Sequence, residues 1–204
     1  MSKLVRLCHF LLQSRDMKEI VQDGAKVLRD IASLVPEDMF GGPELAQIIA
    51  DMKTALDPEL EGVAIAAPQI GVSYRIYVVR KDRTVTPPPM DDQGSTLAQN
   101  SQGRTLNAPS YEVYINPEII KTSRRRASVD EGCLSVRGIY GSTRRHERVT
   151  VRARNVDGSR FERGGGGIMA QIFEHETDHL NGILFTDHAE RLVHIEHDHG
   201  APIS

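Results

Sequence analysis

The stretch Glu174-His-Glu-Thr-Asp-His-Leu-Asn-Gly182 contains an H-E-x-x-H pattern and is the most informative part of this sequence. Two histidines four positions apart project from the same face of a helix, where they can bind one metal ion. The glutamate between them lies close enough to accept a proton from a water molecule on that metal. The pattern therefore predicts a helix that carries a hydrolytic metal site.

This helix is predicted to be buried on the side that carries the histidines. At about 100° per residue, one sector collects aliphatic and imidazole side chains, namely Ile168, Ile172, His175 and His179. The neighbouring sector contains Met169, Phe173, Glu176 and Leu180, and a third, polar sector contains Glu174, Asp178 and Asn181. The glycines at 164–167 and at 182 mark the two ends of the helix.

A metal site of this kind needs a third protein ligand, and candidates lie on both sides of the helix. The downstream candidates, none in a distinctive setting, are Glu190, His188, His194, His197 and His199. We expect the tail at 194–199 to be a solvated, frayed terminus. Upstream, Glu131-Gly-Cys-Leu-Ser135 places Cys133 where a thiolate could bind a metal while the next backbone N–H stays free to donate. The alternative for Cys133 is an ordinary buried thiol.

A third segment, Gly62-Val-Ala-Ile-Ala-Ala-Pro-Gln-Ile-Gly71, combines small residues with a single amide side chain at Gln69. Small residues allow a backbone to approach a ligand closely, but they also occur in tightly packed strands and turns. By itself this segment leaves both interpretations open.

Together, in this order and spacing, the three segments resemble the motifs of the peptide deformylase family. That family carries a Gly-rich segment ending in Ala-Ala-x-Gln, then Glu-Gly-Cys-Leu-Ser, then Gln-His-Glu-x-x-Asp-His-Leu-x-Gly, and residues 62–69, 131–135 and 174–182 look like these motifs. Residues 20–32 and 149–158 also look like parts of the family, so the resemblance runs from about 17 to 187. It implies an α+β fold in which antiparallel β-sheets pack around a central metal-binding helix.

The resemblance also implies a role for each site residue. Cys133, His175 and His179 would be the metal ligands, and Glu176 the general base and acid for attack of a metal-bound water on a formyl carbonyl. The Gln69 side chain and the Leu134 backbone N–H would form the oxyanion hole, and Gly62, Val63 and Ala64 would lie against the substrate. The implied ion is Fe²⁺, with Zn²⁺, Ni²⁺ or Co²⁺ as replacements. The implied substrate is the N-formylmethionyl end of newly synthesised peptides, from which formate is released.

Two positions depart from the family pattern. Ala64 stands where the family usually has a second glycine, and we expect its methyl group to narrow the substrate range or affinity. Glu174 stands where the family usually has Gln, and its position in the polar sector predicts little effect on the chemistry. Asp178 follows the pattern and is predicted to orient the site, or else to be an ordinary surface carboxylate.

Length and composition predict one catalytic domain. The 204 residues are assigned to an N-terminal extension (1–16), a deformylase-like domain (17–187) and a C-terminal tail (188–204). Two cysteines, one of them a proposed ligand, indicate a reducing compartment, so we expect a cytoplasmic protein, or an organellar one if residues 1–16 are a targeting segment.

The charge pattern bears on the partners of the protein. A net charge of −3 predicts no DNA partner, and no membrane association is expected. The basic segments 124–126 and 144–146 are predicted to be solvated hairpin faces, with contact to an anionic surface such as ribosomal RNA as the alternative. On that reading the ribosome would be a transient partner.

Residue patterns also predict the other elements. Helices are expected over 17–34 and Pro43–Leu56, and strands over 74–79, 111–116 and 149–154. The segment 84–110 is predicted to be a surface loop, either a rim or lid of the substrate groove or an inert insertion.

Two other functions remain open. An H-E-x-x-H peptidase would use a downstream Glu or His as its third ligand and would not need Cys133. A non-catalytic binding protein on the same fold would bind metal and peptide without turnover, with Ala64 as a sign of drift.

Overall fold

The computed structural model describes residues 18–84 and 109–195. Two α-helices lie within these ranges, α1 (Pro43–Leu56) and α2 (Ile168–Leu180). The strands are β1 (Ala64–Ala66), β2 (Ile76–Arg80), β3 (Tyr111–Thr122), β4 (Arg126–Cys133), β5 (Val136–His146), β6 (Arg148–Arg154), β7 (Arg160–Gly166) and β8 (Arg191–His194). The expected α+β class is confirmed.

The strands form two antiparallel sheets. One contains five strands in the order β1-β2-β3-β6-β7, and the other contains three in the order β4-β5-β8. Strand β1 is therefore a free edge of the first sheet, and β4 is a free edge of the second. Two of the predicted site segments, 62–69 and 131–135, overlap β1 and the end of β4 and therefore lie at these free edges.

The five-stranded sheet is covered on both faces. Phe173 of α2 packs against one face, together with Tyr77 and Val151, whereas Leu45 of α1 and its neighbours pack against Ile65 on the other. Strand β2 lies between the two cores, so all five of its residues are buried instead of alternating. The packing of Phe173 against one face of this sheet fixes the orientation of α2.

The predicted helices at Pro43–Leu56 and around the H-E-x-x-H pattern are confirmed. Pro43 occupies the first turn of α1, where its missing N–H is not needed. Helix α2 starts after Gly167 and is followed by Gly182, whose φ of +74° is the left-handed conformation expected beyond a helix end. Its buried sectors contain Ile172 and Phe173, as the periodicity predicted, although Ile168 at the first turn is 43% exposed.

The helix predicted over residues 17–34 is wrong. Apart from a short 3₁₀ turn at Lys26–Leu28, the described part of this segment is irregular. Its backbone forms hydrogen bonds with other elements of the fold. The N–H of Asp23 donates to the Ser135 carbonyl, and the N–H of Ala32 donates to the Leu180 carbonyl. Backbone groups that bind other segments cannot form i to i−4 bonds, so tertiary contacts override helix propensity here.

The predicted strands are found with shifted ends. The strand expected at 74–79 begins at Ile76, that at 111–116 continues to Thr122, and that at 149–154 corresponds to β6. Strands β4, β5, β7 and β8 were not predicted from the sequence. Most of the predicted loop at 84–110, and all of the extension at 1–16, lie outside the described residues.

The frayed terminus predicted from His194 is wrong at that residue. Residues Arg191–His194 form β8, which pairs with β5 in the register Ile139 to His194 and Ser142 to Arg191. Residues 196–204 lie outside the described ranges. Among the residues that the structure describes, no helix is long and apolar enough to cross a membrane.

Candidate metal centre

Three potential ligands converge where α2 faces the end of β4. The Sγ atom of Cys133 and one ring nitrogen each of His175 and His179 lie within 4.8 Å of one another. Cys133 Sγ is 3.2 Å from His179 Nε2. The α-helical period places the two imidazoles on one face, and an irregularity in the β4–β5 pairing between Gly132 and Cys133 presents the thiol to them.

These donors fit a divalent metal ion. A tetrahedral centre with metal–sulfur and metal–nitrogen bonds of about 2.3 and 2.1 Å separates its ligand atoms by about 3.6 Å. The 3.2 Å separation of Cys133 and His179 and the 4.8 Å limit for the group agree with that size. His179 is 1% exposed, and its burial lowers its pKa well below the ordinary value. The neutral imidazole needed for coordination is therefore favoured.

The Nδ1 side of the His175 ring contacts a buried network of ion pairs. His175 Nδ1 lies 3.1 Å from Glu131 Oε2, which leaves Nε2 of the ring for a metal. Arg145 donates from Nε and Nη2 to both oxygens of Glu131, at 2.6 and 2.9 Å, and from Nη1 to Asp178 at 2.6 Å. Asp178 thus contacts the site through Arg145, and its role in orienting the site stays a prediction.

Arg145 was missed as a site residue. The sequence predicted 144–146 to be a solvated hairpin face, but Arg145 is 6% exposed. Alternation along β5 turns Thr143 and Arg145 inward and Arg144 outward. A strand assignment for 136–146 would have placed Arg145 on the inner face, because its parity matches that of the buried positions Gly141 and Thr143.

Glu176 is buried next to the ligands. It is 4% exposed, and its Oε2 atom has no hydrogen-bond partner among the described residues. Burial raises the pKa of its carboxyl to about 7, with Glu131 and Asp178 acting in the same direction and His175 opposing them. A carboxyl group with this pKa can both accept and donate a proton near neutral pH.

Gln69 is held with its amide group towards the thiol. It is 2% exposed, and its Oε1 accepts a hydrogen bond from the Ala66 N–H at 2.8 Å. This contact turns Nε2 towards Ser135 Oγ, at 3.2 Å, and Cys133 Sγ, at 3.6 Å. Within the described part of the chain, the Leu134 N–H donates to no backbone carbonyl. Two donors therefore lie beside the group of ligands.

A cavity of about 690 Å³ opens from the metal centre between the two sheet edges. Gly62, Val63 and Ala64 line it on the β1 side, and residues 130–134 line it on the β4 side. A peptide in an extended conformation fits a groove between two free strand edges.

Two contacts span the mouth of this cavity. Arg137 donates to both carboxylate oxygens of Glu59, at 2.6 and 3.1 Å. The hydroxyl of Tyr140 donates to Glu61 Oε2 at 3.0 Å. These contacts join the segment before β1 to strand β5, so they limit the width of the entrance.

The two departures from the family pattern occupy different surroundings. Ala64 is 7% exposed, pairs with Val79 and lines the cavity wall. Glu174 contacts His146, with one oxygen 2.8 Å from the backbone N–H and the other 2.6 Å from Nδ1. Glu174 therefore attaches the end of β5 to α2, one residue before His175.

The downstream ligand candidates that the structure describes lie apart from the metal centre. His188 Nε2 is 3.9 Å from Asp178 Oδ2, on the outside of the ion-pair network. His194 is on β8, and His197 and His199 lie outside the described residues. Among residues 18–84 and 109–195, Cys133, His175 and His179 form the one group with metal-binding geometry.

Comparison with protein families matches residues 17–194 to the family described as Polypeptide deformylase. A peptide deformylase of Carboxydothermus hydrogenoformans is 35% identical over 175 residues, which cover 86% of this chain and 95% of the relative. A peptide deformylase of Dehalococcoides mccartyi is 38% identical over 80% of this chain and 81% of its own.

Solved structures show the same similarity. A Met-Ala-Ser-bound class I type b peptide deformylase from Acinetobacter baumannii aligns with a TM-score of 0.66 and 32% identity, over 83% of this chain and 97% of its own. The actinonin-bound form gives 0.67 and 31%, over 84% and 97%. A peptide deformylase from Legionella pneumophila gives 0.67 and 33%, over 85% and 86%.

Proposed function

The chain belongs to the peptide deformylase family, and from this premise we propose how its own residues carry out the reaction. The enzyme removes the N-formyl group from the N-terminal formylmethionine of newly synthesised peptides and releases formate. The observation that carries the assignment of roles is the convergence of Cys133, His175 and His179 at the end of a peptide-sized cavity, with Glu176 and Gln69 beside them.

The reaction depends on a divalent metal ion, for which Cys133, His175 and His179 are the ligands. Fe²⁺ is the native ion, with Zn²⁺, Ni²⁺ or Co²⁺ as replacements, since a thiolate and two imidazoles accept all four. Once bound, the ion supplies Lewis acidity that polarises the formyl carbonyl and lowers the pKa of a water molecule towards about 7.

Glu176 moves the proton. Its carboxylate accepts a proton from the attacking water and later gives that proton to the departing amine of the peptide. Burial excludes bulk water from the carboxyl group and keeps its pKa near 7, which suits both directions of transfer. Neighbouring Glu131 and Arg145 hold the His175 ring and do not exchange protons with the substrate.

Gln69 and Leu134 stabilise the charge that develops on the formyl oxygen. The Gln69 amide is fixed by its bond from the Ala66 N–H, so it requires little reorganisation when the carbonyl becomes tetrahedral. The Leu134 backbone N–H is the second donor. Each such donor lowers the activation barrier by about 3 kcal/mol.

The peptide binds as an additional strand between β1 and β4. Gly62 and Val63 approach its backbone, and the methyl group of Ala64 narrows this wall and restricts the range of substrates that fit. Residues after the methionine leave past the contact between Tyr140 and Glu61, which limits the width of the entrance. This arrangement selects an extended N-terminus.

The protein works in the cytoplasm and associates transiently with the ribosome, where its substrates arise. Its catalytic domain is proposed to extend over residues 17–187; β8 pairs with β5 and the family match continues to His194, and the boundary with the C-terminal tail stays a prediction.

Formate release from formyl-Met-Ala-Ser tests the proposal. Anaerobically prepared protein loaded with Fe²⁺ or Ni²⁺ is compared with Cys133→Ala and Glu176→Ala, and the metal content of each is measured. We expect Cys133→Ala to lose metal and turnover, and Glu176→Ala to keep metal and lose turnover. Turnover by Cys133→Ala would favour the peptidase alternative, and peptide binding without turnover by metal-loaded wild type would favour the binding protein.

A further inference from the structure

Arg83 lies behind the wall of the cavity that carries Gly62 and Val63. It ends the 3₁₀ turn Lys81–Arg83, which follows β2 directly. Because β1 and β2 are antiparallel neighbours, the residues after β2 lie beside the residues before β1. Arg83 is not among the described residues that line the cavity, so it can affect a bound peptide only through the wall.

The guanidinium group of Arg83 binds three backbone carbonyls of the segment 57–62, here called the rim segment. Nη1 donates to the carbonyl oxygens of Glu59 and Gly62, the latter at 2.6 Å, and Nη2 donates to that of Asp57 at 3.0 Å. Each bond has a charged donor, and such bonds are about twice as strong as neutral ones. One side chain thus holds the rim segment at its start, middle and end.

The bond to Gly62 also sets the direction of the next N–H group. The carbonyl of Gly62 and the N–H of Val63 belong to one planar peptide group, and no peptide bond among the described residues is cis. In a trans peptide these two groups point in opposite directions. Since the carbonyl points outward to Arg83, the N–H points inward to the cavity that Val63 lines.

Val63 offers an unpaired backbone donor at this wall. Its N–H donates to no acceptor in the described part of the chain, whereas its carbonyl accepts from the Arg80 N–H at 2.8 Å. A free N–H on the wall of a peptide-sized cavity can donate to a backbone carbonyl of a bound peptide. The direction of this N–H therefore bears on peptide binding.

The glycine at position 62 makes this peptide group dependent on Arg83. A Cβ atom on Gly62 would lie 3.0 to 3.1 Å from side-chain atoms of Leu56, Glu59 and Leu134, so the close packing favours glycine. Glycine is also the residue that restrains the neighbouring peptide planes least. The hydrogen bond from Arg83 supplies the restraint that a side chain at position 62 cannot.

We propose that Arg83 is a positioning residue, which aims the Val63 N–H at a backbone carbonyl of the bound peptide. This inference rests on the proposed function, because it places the peptide in the groove between β1 and β4. Loss of one such hydrogen bond weakens binding by about 3- to 10-fold. Since Arg83 binds the rim segment and not the metal ligands or Glu176, the chemical step should keep its rate.

Steady-state formate release from formyl-Met-Ala-Ser by metal-loaded Arg83→Met tests this inference. We expect KM to rise about 3- to 10-fold with kcat within about twofold of wild type, because the lost contact acts equally in the ground and transition states. Arg154→Met is the matched control: Arg154 is also partly buried, and it donates to the Gly158 carbonyl at 2.9 Å, away from the cavity. The control should keep the wild-type KM.

Hydrogen exchange at the Val63 amide, followed by NMR, is a second test that does not need turnover. In Zn²⁺-loaded wild type, the peptide Met-Ala-Ser should slow exchange of this amide, and in Arg83→Met it should slow exchange much less. The Ala32 amide, which donates to the Leu180 carbonyl at 3.0 Å, is the internal control and should not respond to the peptide.

Four outcomes would overturn the inference. They are no protection of the Val63 amide by Met-Ala-Ser in wild type, an unchanged KM in Arg83→Met, an equal rise of KM in Arg154→Met, and a loss of bound metal with lower kcat in Arg83→Met. The first of these is measured on wild type and does not depend on the folding of a variant. Protection of Val63 without formate release by wild type would instead refute the proposed function.

Discussion

We expect substitution of Arg145 by methionine to destabilise the protein around the metal centre, although Arg145 is not itself a metal ligand. Methionine keeps most of the apolar stem but removes the guanidinium that binds Glu131 and Asp178. The side chain of Glu131 is 1% exposed, so water cannot replace the lost partner. An uncompensated carboxylate would then remain buried behind His175.

The magnitude follows from the surroundings of Glu131. Burial raises the pKa of this carboxyl, but hydrogen bonds from His175 and Arg145 outweigh it and lower the pKa from 4.5 to about 2. At about 1.4 kcal/mol for each tenfold change in acidity, the native partners favour the ionised form by about 3 kcal/mol. His175 supplies part of this stabilisation of the Glu131 carboxylate, which makes the loss smaller. Removal of Arg145 also takes away the guanidinium that binds the Asp178 carboxylate, which makes the loss larger. We therefore expect a loss of about 3 kcal/mol in the free energy of unfolding.

Urea unfolding at pH 7, followed by circular dichroism, measures this loss for metal-free protein. Arg144→Met is the matched control, because Arg144 is the adjacent residue on the same strand but is exposed and unpaired. We expect the control to change the free energy of unfolding by less than about 0.5 kcal/mol. A loss below about 1 kcal/mol for Arg145→Met, or an equal loss in the control, would refute the reasoning.

The same variant should also bind metal less tightly. Without Arg145, Glu131 is no longer held against His175, and loss of such an outer partner weakens metal binding by about 10- to 100-fold. Competition with a chromophoric chelator measures this affinity separately from stability. Unchanged affinity in a folded variant would mean that His175 is oriented by packing alone.

Three further substitutions test other parts of the structure. Gln69→Ala should lower kcat by about 10²- to 10³-fold with little change in KM, because an oxyanion donor acts mainly in the transition state; steady-state formate release with formyl-Met-Ala-Ser measures both. Gly132→Ala places a methyl group 2.9 Å from the Tyr140 ring at the cavity mouth, so we expect KM to rise as the ring moves, and an unchanged KM would contradict this. Gly182→Ala combines a φ of +74° with a contact of 2.5 Å to the Arg29 carbonyl oxygen and should lower the free energy of unfolding by about 2 kcal/mol or more, as measured in urea.

The metal-bearing helix could be predicted because its information is local. His175 and His179 are four positions apart, and glycines bound the helix at both ends, so periodicity alone gives its position and facing. Cys133 and Gln69 are distant in sequence, and their proximity was expected only through the resemblance to a family. The 3.6 Å contact between Gln69 Nε2 and Cys133 Sγ is consistent with that expectation.

The failure over residues 17–34 has a physical cause that the sequence does not display. This segment satisfies its backbone groups with the Ser135 and Leu180 carbonyls, which belong to the turn before β5 and the end of α2. Those partners exist only in the folded protein. Local propensity was therefore a poor guide wherever a segment binds across several elements.

Arg145 and Glu174 show how a charged residue can be misjudged when its element is unknown. Without a strand at β5, Arg145 looks like part of a basic run, and without that same strand Glu174 has no visible partner. Once β5 is placed against α2, Arg145 faces Glu131 and Asp178, and His146 faces Glu174. The Glu that replaces the family's usual Gln is thus explained jointly with His146. A Gln at 174 could still accept from the backbone N–H, but it would lose the carboxylate oxygen that contacts the His146 ring, so the two positions should be changed together.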